Sequence, residues 1–162
     1  MSRPRAARLA ALLYGVAAAA YLIDRVTKVL AERTLEGRPP VDLIPGVLRL
    51  RFTENPGGAF SLFVGAPSLF LVATLTATAT IVWTSRSLSS ASVATGLELI
   101  LGGALGNLTD RILRGPGISG KVVDFVDLRI WPVFNVADSA IVLGAITLIV
   151  LSFRHRSEPA GR

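Results

Sequence analysis

The chain has 162 residues, a length that fits a single domain over residues 1–162. Hydrophobic residues make up 51% and charged residues only 17%, and the mean hydropathy is +0.57, so the composition indicates an integral membrane protein rather than an ordinary soluble domain. The formal net charge is +6, but the basic residues are not interleaved with aromatic residues and several lie in the two tails. This pattern argues against a nucleic-acid partner and favours contact with membrane lipids.

Four apolar stretches predict four membrane-spanning helices, at about residues 9–30, 68–83, 91–107 and 136–153. The first follows a basic N-terminus and therefore also resembles a cleavable signal peptide. Because its apolar run continues into YLIDRVTKVL and three more spans follow, we interpret it as a retained helix. The later spans have 16 to 18 residues, or about 24–27 Å of helix, so they need polar ends or a locally thin bilayer.

Basic residues favour an orientation with both termini in the cytoplasm. The tails and the short linker TSRSLSS carry seven arginines against one acid, whereas the opposite side carries ten basic residues and eight acids. The raw counts are ambiguous, but the positive-inside rule applies to short segments such as this linker.

Two longer loops, about residues 31–66 and 112–132, then lie outside the membrane. The first contains VLRLRFTE, in which apolar and polar residues alternate as in a strand. The second contains the glycine-rich RGPGISG, which suits a flap-like loop, and then KVVDFVDL, a second strand candidate. The sequence predicts an all-α membrane protein with a small extracytoplasmic β-sheet.

Polar residues gather at the outer ends of all four predicted helices. They are Asp24, Thr27, Lys28, Asn55, Asn107, Asp110, Arg111, Asp124, Asn135 and Asp138. Because randomly scattered polar residues would not share one depth, and polar groups in membranes are commonly functional, we predict a site there. Glu98 is different: it is a lone acid about 13 Å along the helix from Asn107, which we interpret as a buried or water-reaching carboxyl.

Each of these groups also has a purely structural explanation. Asp24 and Lys28 are four residues apart and can pair on one helix face. Asn135 can cap the fourth helix, with Asp138 as a favourable charge in its first turn. Close helix packing or a turn explains the glycines Gly57, Gly58, Gly102, Gly103 and Gly106. Helix capping requires only one polar residue at each helix end, however, whereas ten polar residues lie here at the same predicted depth in the membrane.

Paired carboxylates at such a boundary suit acid–base hydrolysis, in which one ionised acid activates water and its protonated partner polarises the scissile carbonyl. Strand alternation places Asp124 and Asp127 on opposite faces. Asp138 lies one turn inside the fourth predicted helix, where a carboxylate is energetically costly and therefore indicates a functional role. We therefore predict Asp124 and Asp138 as the pair, and Asp127 in solvent.

Five motifs resemble, in order, those of the lipoprotein signal peptidase (signal peptidase II) family. They are DRVTK (24–28), NPGGAF (55–60), GGALGNLTDR (102–111), VVDF (122–125) and FNVAD (134–138), and they extend over about 115 residues. The resemblance implies a bacterial inner-membrane aspartic peptidase with its active site near the outer leaflet. It also implies cleavage of a prolipoprotein just before its diacylglyceryl-modified cysteine, no metal or other cofactor, and inhibition by globomycin-type cyclic peptides.

The same resemblance implies roles for individual residues. Asp124 and Asp138 are the expected catalytic pair. The expected substrate-binding and site-lining residues are Asn55, Asn107, Arg111 and Asn135, and those expected to support the geometry are Asp24, Lys28, Asp110 and Gly57.

Two other functions remain open on the residues alone. A serine–lysine peptidase would have to use Lys28 or Lys121, the only lysines, but Ser61, Ser119 and Ser139 show no recognised spacing. A proton-coupled carrier would use its intramembrane acids as a relay, although no inverted repeat is evident. A purely structural membrane protein comes third.

Overall fold

The computed structural model describes residues 3–57, 67–85 and 90–156. These residues form the helices α1 (Arg3–Leu35), α2 (Pro67–Ser85), α3 (Ala91–Leu113) and α4 (Val136–Arg156). They also form the strands β1 (Val41–Ile44), β2 (Leu48–Asn55) and β3 (Val122–Asp127), which make one antiparallel sheet in the order β1-β2-β3. The described part is thus mostly helical with a small sheet, as predicted.

The helices extend beyond the predicted spans. The third was expected to end near residue 107 and the first near 30, but α3 continues to Leu113 and α1 to Leu35. Apolar runs mark where a helix meets lipid, whereas the helical hydrogen bonds continue into the polar layer. Among the described residues, Ala91–Leu113 and Val136–Phe153 are long and apolar enough to cross a membrane, while the apolar stretch of α2, Leu71–Thr84, is shorter.

The sheet places its middle strand beside the acid-bearing strand. Both predicted strands, β2 and β3, are confirmed, and their register puts Thr53 opposite Asp124 and Asn55 opposite Val122. The edge strand β1 was not predicted, because its four residues are all exposed and show no alternation of burial. Apolar residues of β3 and α1 pack together and hold the sheet on the C-terminal end of α1; they are Ala31, Leu35, Val123 and Phe125.

Glycines allow α3 to contact its two neighbours at backbone distance. A Cβ on Gly102 would overlap the carbonyl of Ala17 on α1, and one on Gly103 would overlap the carbonyl of Ala137 on α4. Small residues at such interfaces let helices gain van der Waals contact in lipid, where the hydrophobic effect does not drive helices together. The close-packing interpretation of these glycines is therefore confirmed.

Two acids outside the predicted pair lie in different surroundings. The solvated position predicted for Asp127 is wrong: its residue is only 4% exposed, because Arg49 Nε donates to its Oδ2 at 2.7 Å and Arg51 Nε lies 2.8 Å from the same oxygen. Alternation identifies a strand face but not whether long side chains of the neighbouring strand cover it. Glu98 is buried at 1% exposure, one helical turn before Gly102.

Candidate active site

A cavity of about 340 Å³ lies among α2, α3, α4 and the strand end of β3. Its polar lining residues are Asn55, Thr74, Asn107, Arg111, Asp124 and Asp138, and the apolar ones include Trp131, Phe134, Ile141 and Val142. Five side chains that the sequence analysis singled out therefore border one space, although they come from a strand end, two helices and a second strand.

Asn135 links the two aspartates directly. Its Nδ2 donates to Asp124 Oδ1 at 2.7 Å, and its backbone N–H donates to Asp138 Oδ2 at 3.2 Å. Its Oδ1 accepts from the Asp138 backbone N–H at 2.9 Å, which is the N-cap bond of α4. The structural and functional explanations of Asn135 are thus compatible, because the cap that begins α4 also fixes both acids.

Two further amides complete the hydrogen bonding of the pair. Asn55 Nδ2 donates to Asp124 Oδ2 at 2.9 Å, and Asn107 Nδ2 donates to Asp138 Oδ1 at 2.9 Å. All four carboxylate oxygens therefore accept from neutral donors, which orient the acids without adding charge to the cavity.

Asp124 belongs to β3 and is only 2% exposed. Burial, followed by the nearby negative charge of Asp138, raises the pKa of Asp124 to about 6. Hydrogen bonds from Asn55 and Asn135 and the positive charge of Lys28 oppose this shift, and they are smaller than the burial effect. Asp124 therefore holds a proton to higher pH than an ordinary aspartate.

Asp127 behaves in the opposite way on the far face of the strand. Burial works to raise its pKa, but the hydrogen bond from the Arg129 backbone N–H and the guanidinium groups of Arg49 and Arg51 outweigh it, so the pKa of Asp127 is lowered. The two strand acids thus have separate partners and opposite shifts, as their placement on opposite faces predicts.

Lys28 fixes the orientation of Asn107. Its Nζ is fully buried and donates to Asn107 Oδ1 at 2.8 Å, while it lies 2.9 Å from Asp24 Oδ2 and 3.0 Å from Asp110 Oδ2. Lysine has only donors, so the oxygen of Asn107 must face Lys28. The NH₂ group of Asn107 is then left to face Asp138.

Asp24 connects α1 to the start of α4 through a hydrogen bond. Its Oδ1 accepts from the Ala137 backbone N–H at 2.9 Å, which satisfies a second free N–H in the first turn of α4. Gly106 makes this approach possible, because a Cβ there would overlap Asp24 Oδ2.

Arg111 joins the turn at Gly57, which borders the cavity, to the loop that precedes β3. The residue is 4% exposed; its Nη2 donates to the Gly57 carbonyl and its Nη1 to the Gly120 carbonyl at 3.4 Å. Gly57 N–H in turn donates to Asn55 Oδ1 at 2.9 Å, which leaves the NH₂ of Asn55 for Asp124. Gly120 lies in the RGPGISG loop, whose action as a flap stays a prediction.

A family model described as signal peptidase (SPase) II matches residues 16–154. The lipoprotein signal peptidase of Rhodococcus jostii (strain RHA1) is 47% identical over 142 residues, which cover 87% of this chain and 72% of that protein. The lipoprotein signal peptidase of Mycobacterium avium (strain 104) is 46% identical over 156 residues, which cover 93% and 84%. The chain belongs to the signal peptidase II family.

A solved structure described as a bacterial membrane enzyme is similar, with a TM-score of 0.83 and 26% identity over 94% of each chain. A second one so described has a TM-score of 0.75 and 28% identity, covering 87% of this chain and 92% of that one. This member of the signal peptidase II family is a bacterial membrane peptidase that removes signal peptides from prolipoproteins.

The sequence analysis did not predict some of the ion pairs around the site, and one residue that it placed in the polar cluster, Thr27, makes no described contact with the side chains of the others. Asp110 ion-pairs with Arg25 and Arg114 as well as Lys28, and Arg114 Nη1 contacts Glu32 at 2.6 Å. The sequence feature that could have identified these residues is that their charges lie near the same predicted helix ends as the other polar residues. Thr27, by contrast, bonds only carbonyls of its own helix among the described contacts, at Ile23 and Asp24.

Proposed function

We propose that the chain is an aspartic endopeptidase that cleaves a prolipoprotein just before its diacylglyceryl-modified cysteine, with Asp124 and Asp138 as the catalytic pair. The observation that carries the proposal is that one residue, Asn135, hydrogen-bonds both acids at the edge of one cavity, with its side-chain NH₂ donating to Asp124 and its backbone N–H to Asp138. Both acids of a water-activating pair need a fixed separation and orientation, and Asn135 supplies both.

Because its pKa is raised, Asp124 acts as the acid of the pair and Asp138 acts as the base. Asp124 retains the shared proton and donates a hydrogen bond to the scissile carbonyl oxygen, while Asp138 acts as the base that takes a proton from the attacking water. The tetrahedral intermediate then collapses as Asp138 returns that proton to the leaving amine. Arg111, Asn55 and Asn107 line the space where the substrate peptide lies, and Lys28, Asp24 and Asp110 hold these groups in position.

The same proposal places the chain in the cytoplasmic membrane with four spanning helices, both termini inside, and the cavity near the outer leaflet. Large apolar side chains are exposed along α1, α2 and α4, including Leu22, Val72 and Ile146, as expected for surfaces that contact lipid. A lipid-anchored peptide bond arrives at this level already confined to two dimensions, which contributes to its positioning. Globomycin-type cyclic peptides would occupy the same cavity.

Cleavage of a synthetic diacylglyceryl prolipoprotein by the detergent-purified protein tests the catalytic pair. We expect Asp124→Asn and Asp138→Asn each to lower kcat by about 100-fold or more, because each removes an acid–base group. Asp127→Asn is the matched control, since it changes a buried aspartate three residues from Asp124 that contacts arginines instead of the cavity. Near-normal rates in both cavity variants would rule out the aspartic mechanism.

The contacts of the serines disfavour the serine–lysine alternative. Ser139 Oγ donates to the Asn135 carbonyl at 3.1 Å and Ser119 Oγ to the Pro116 carbonyl at 2.9 Å, while Lys121 contacts Glu54. Ser61 lies outside the described residues. In the same assay, loss of cleavage in Ser61→Ala with full activity in both aspartate variants would favour that alternative, and ion flux without cleavage would favour a carrier.

A further inference from the structure

Six charged side chains from α1 and the C-terminal end of α3 form one connected cluster. Three are acids and three are basic, so the formal charge of the cluster is zero. We call it the α1–α3 charge cluster, and its members are Asp24, Arg25, Lys28, Glu32, Asp110 and Arg114. The proposed function uses Asp24, Lys28 and Asp110 as supports, but it gives no role to Glu32 or Arg114.

The fully buried part of the cluster is not neutral by itself. Asp24, Lys28 and Asp110 have no exposed surface and together carry one negative charge. Arg25 and Arg114 add two positive charges, since both contact Asp110 Oδ1, Arg114 through its Nε at 3.3 Å. These five residues therefore carry one positive charge, and the cluster is neutral only with one further acid.

Glu32 supplies that acid through a two-pronged contact with Arg114. Arg114 Nη1 and Nη2 donate to the two carboxylate oxygens of Glu32 at 2.6 and 2.9 Å, the strong geometry for this pair of groups. These hydrogen bonds lower the pKa of Glu32 and raise the pKa of Arg114, so both stay charged when the pH is varied around neutrality. Their side chains are 36% and 16% exposed, so either can be replaced without removing a fully buried group.

Asp110 connects the cluster to the catalytic strand. Its Oδ2 accepts from the Val123 backbone N–H at 3.2 Å, and Asp124 is the next residue of β3. Arg114 contacts the other oxygen of Asp110, which leaves Oδ2 for Val123 and for Lys28. The two ends of Asp110 thus join the Arg114–Glu32 pair to the strand that bears Asp124.

Charge in the cluster acts on Asp124. Burial is the largest effect on the pKa of Asp124 and raises it, and the positive charge of Lys28 is one of the effects that oppose the rise. The other charged groups that act on Asp124 are Asp138 from α4 and Arg111 from α3. A net negative charge on the cluster would disfavour the carboxylate form of Asp124, and a net positive charge would favour it.

We propose that Glu32 and Arg114 are positioning residues that keep the α1–α3 charge cluster neutral and thereby set the upper pH limit of cleavage. The inference rests on the proposed function, because the proton of Asp124 defines that limit. Arg114 acts through Asp110, and Glu32 acts by balancing the charge of Arg114. Neither residue touches the substrate.

Profiles of kcat/KM against pH, measured with a diacylglyceryl prolipoprotein and detergent-purified variants, test this inference. Arg114→Gln leaves one net negative charge, so the alkaline limb should move up by about half a pH unit, the effect of one charge about 10 Å away at an effective dielectric constant of about 40. Glu32→Gln leaves one net positive charge and should move the limb down by about 0.3 unit, less because water screens the more exposed Glu32. The double variant is neutral again and should return the limb to its wild-type position.

Two kinds of control separate charge from structure. Arg114→Lys keeps the charge but loses the two-pronged contact, so the limb should stay in place while kcat falls. Asp42→Asn and Arg129→Gln are the matched controls, because they remove the members of another acid–arginine pair, which joins β1 to the turn after β3. Both should leave the limb within about 0.1 unit of the wild type.

Opposite shifts in the two single variants, cancelled in the double variant, are the result that a purely structural role cannot produce. Shifts of the same sign, no shift in either variant, or an equal shift in Arg114→Lys and Arg114→Gln would overturn the inference. If Arg114→Gln does not fold, Glu32→Gln and the double variant still decide the sign. Full cleavage by Asp124→Asn and Asp138→Asn would refute the proposed function, and because it is measured in other variants, the two failures are distinguishable.

Discussion

At the residue scale, the site is built on side-chain amides whose orientation is forced from outside the cavity. Lys28 determines which way Asn107 faces, and the Gly57 N–H does the same for Asn55. Each amide then presents its NH₂ group to one of the two acids. Neutral donors leave the pair free to share one proton, whereas a cation in direct contact would hold both acids ionised.

The pH dependence of cleavage follows from Asp124. If Asp124 must hold the proton, kcat/KM falls on the alkaline side through an apparent pKa near 6, a value that belongs to the coupled pair. Asn55→Ala removes a donor to the carboxylate, so the ionised form loses stability and the pKa rises. We expect the alkaline limb to move up by about one pH unit, the equivalent of about 1.4 kcal/mol.

Profiles of kcat/KM against pH for the two proteins measure this shift, with Asp127→Asn as the control that leaves the limb in place. A shift confined to the acidic limb would instead make Asp124 the base and Asp138 the acid.

Lys28 is expected to be essential for stability as well as for geometry. Lys28→Met leaves the buried Asp24 without its cation, while Asp110 keeps Arg25 and Arg114, and breaking a buried pair in this way destabilises by about 3–5 kcal/mol. Thermal unfolding in detergent measures the change. Lys121→Met is the matched control, because the only other lysine is 51% exposed at its side chain and pairs with Glu54 at the surface. Equal melting temperatures for both variants would contradict this prediction.

At the element scale, the contact between α3 and α4 depends on the absence of a side chain. Gly103→Ala would place a methyl group against the Ala137 carbonyl at the start of α4, so we expect a loss of about 1–3 kcal/mol by overpacking, together with reduced cleavage. The matched control is Gly15→Ala in α1, where nothing lies within 4 Å of the new methyl group. Unfolding temperatures of the two variants test this, and a loss in the Gly15 variant alone would contradict it.

The strands show what sequence patterns reveal and what they miss. Alternation located β2 and β3, because apolar residues of these two strands pack into one cluster with α1. It missed β1, whose four residues are all exposed and whose pairing with β2 leaves no pattern in its side chains. Apolar runs located the helices but not their outer ends.

The site was predictable where geometry is local and not where it depends on helix rotation. Asp124 and Asp138 could be selected from strand alternation and from the position of an acid in a helix start. The ion pairs of Asp110 with Arg25 and of Arg114 with Glu32 join α1 to the end of α3. Their formation depends on which faces of two packed helices meet, and spacing along one helix does not contain that information.

At the scale of the whole molecule, the orientation in the membrane is open to a direct test. The chain has no cysteine, so single cysteines can be introduced without any background. In right-side-out vesicles, we expect a membrane-impermeant maleimide to label Arg38→Cys, in the exposed turn after α1, without permeabilisation. Ser87→Cys and Ser157→Cys, in the linker and tail, should react only after permeabilisation. The reverse pattern would invert the proposed topology.

The segment from Asp124 to Asp138 is a closed unit that contains both acids. Val126 and Phe134 exchange backbone hydrogen bonds of 2.9 and 3.0 Å, and Asn135 ties the strand acid to the helix acid inside this loop. Helix tilts adjust when bilayers differ in thickness, and such adjustment moves α2, which packs on α3, relative to this unit. The separation of the acids is internal to the unit. Membrane composition should therefore alter how readily substrate is captured while leaving the hydrolytic step itself nearly constant.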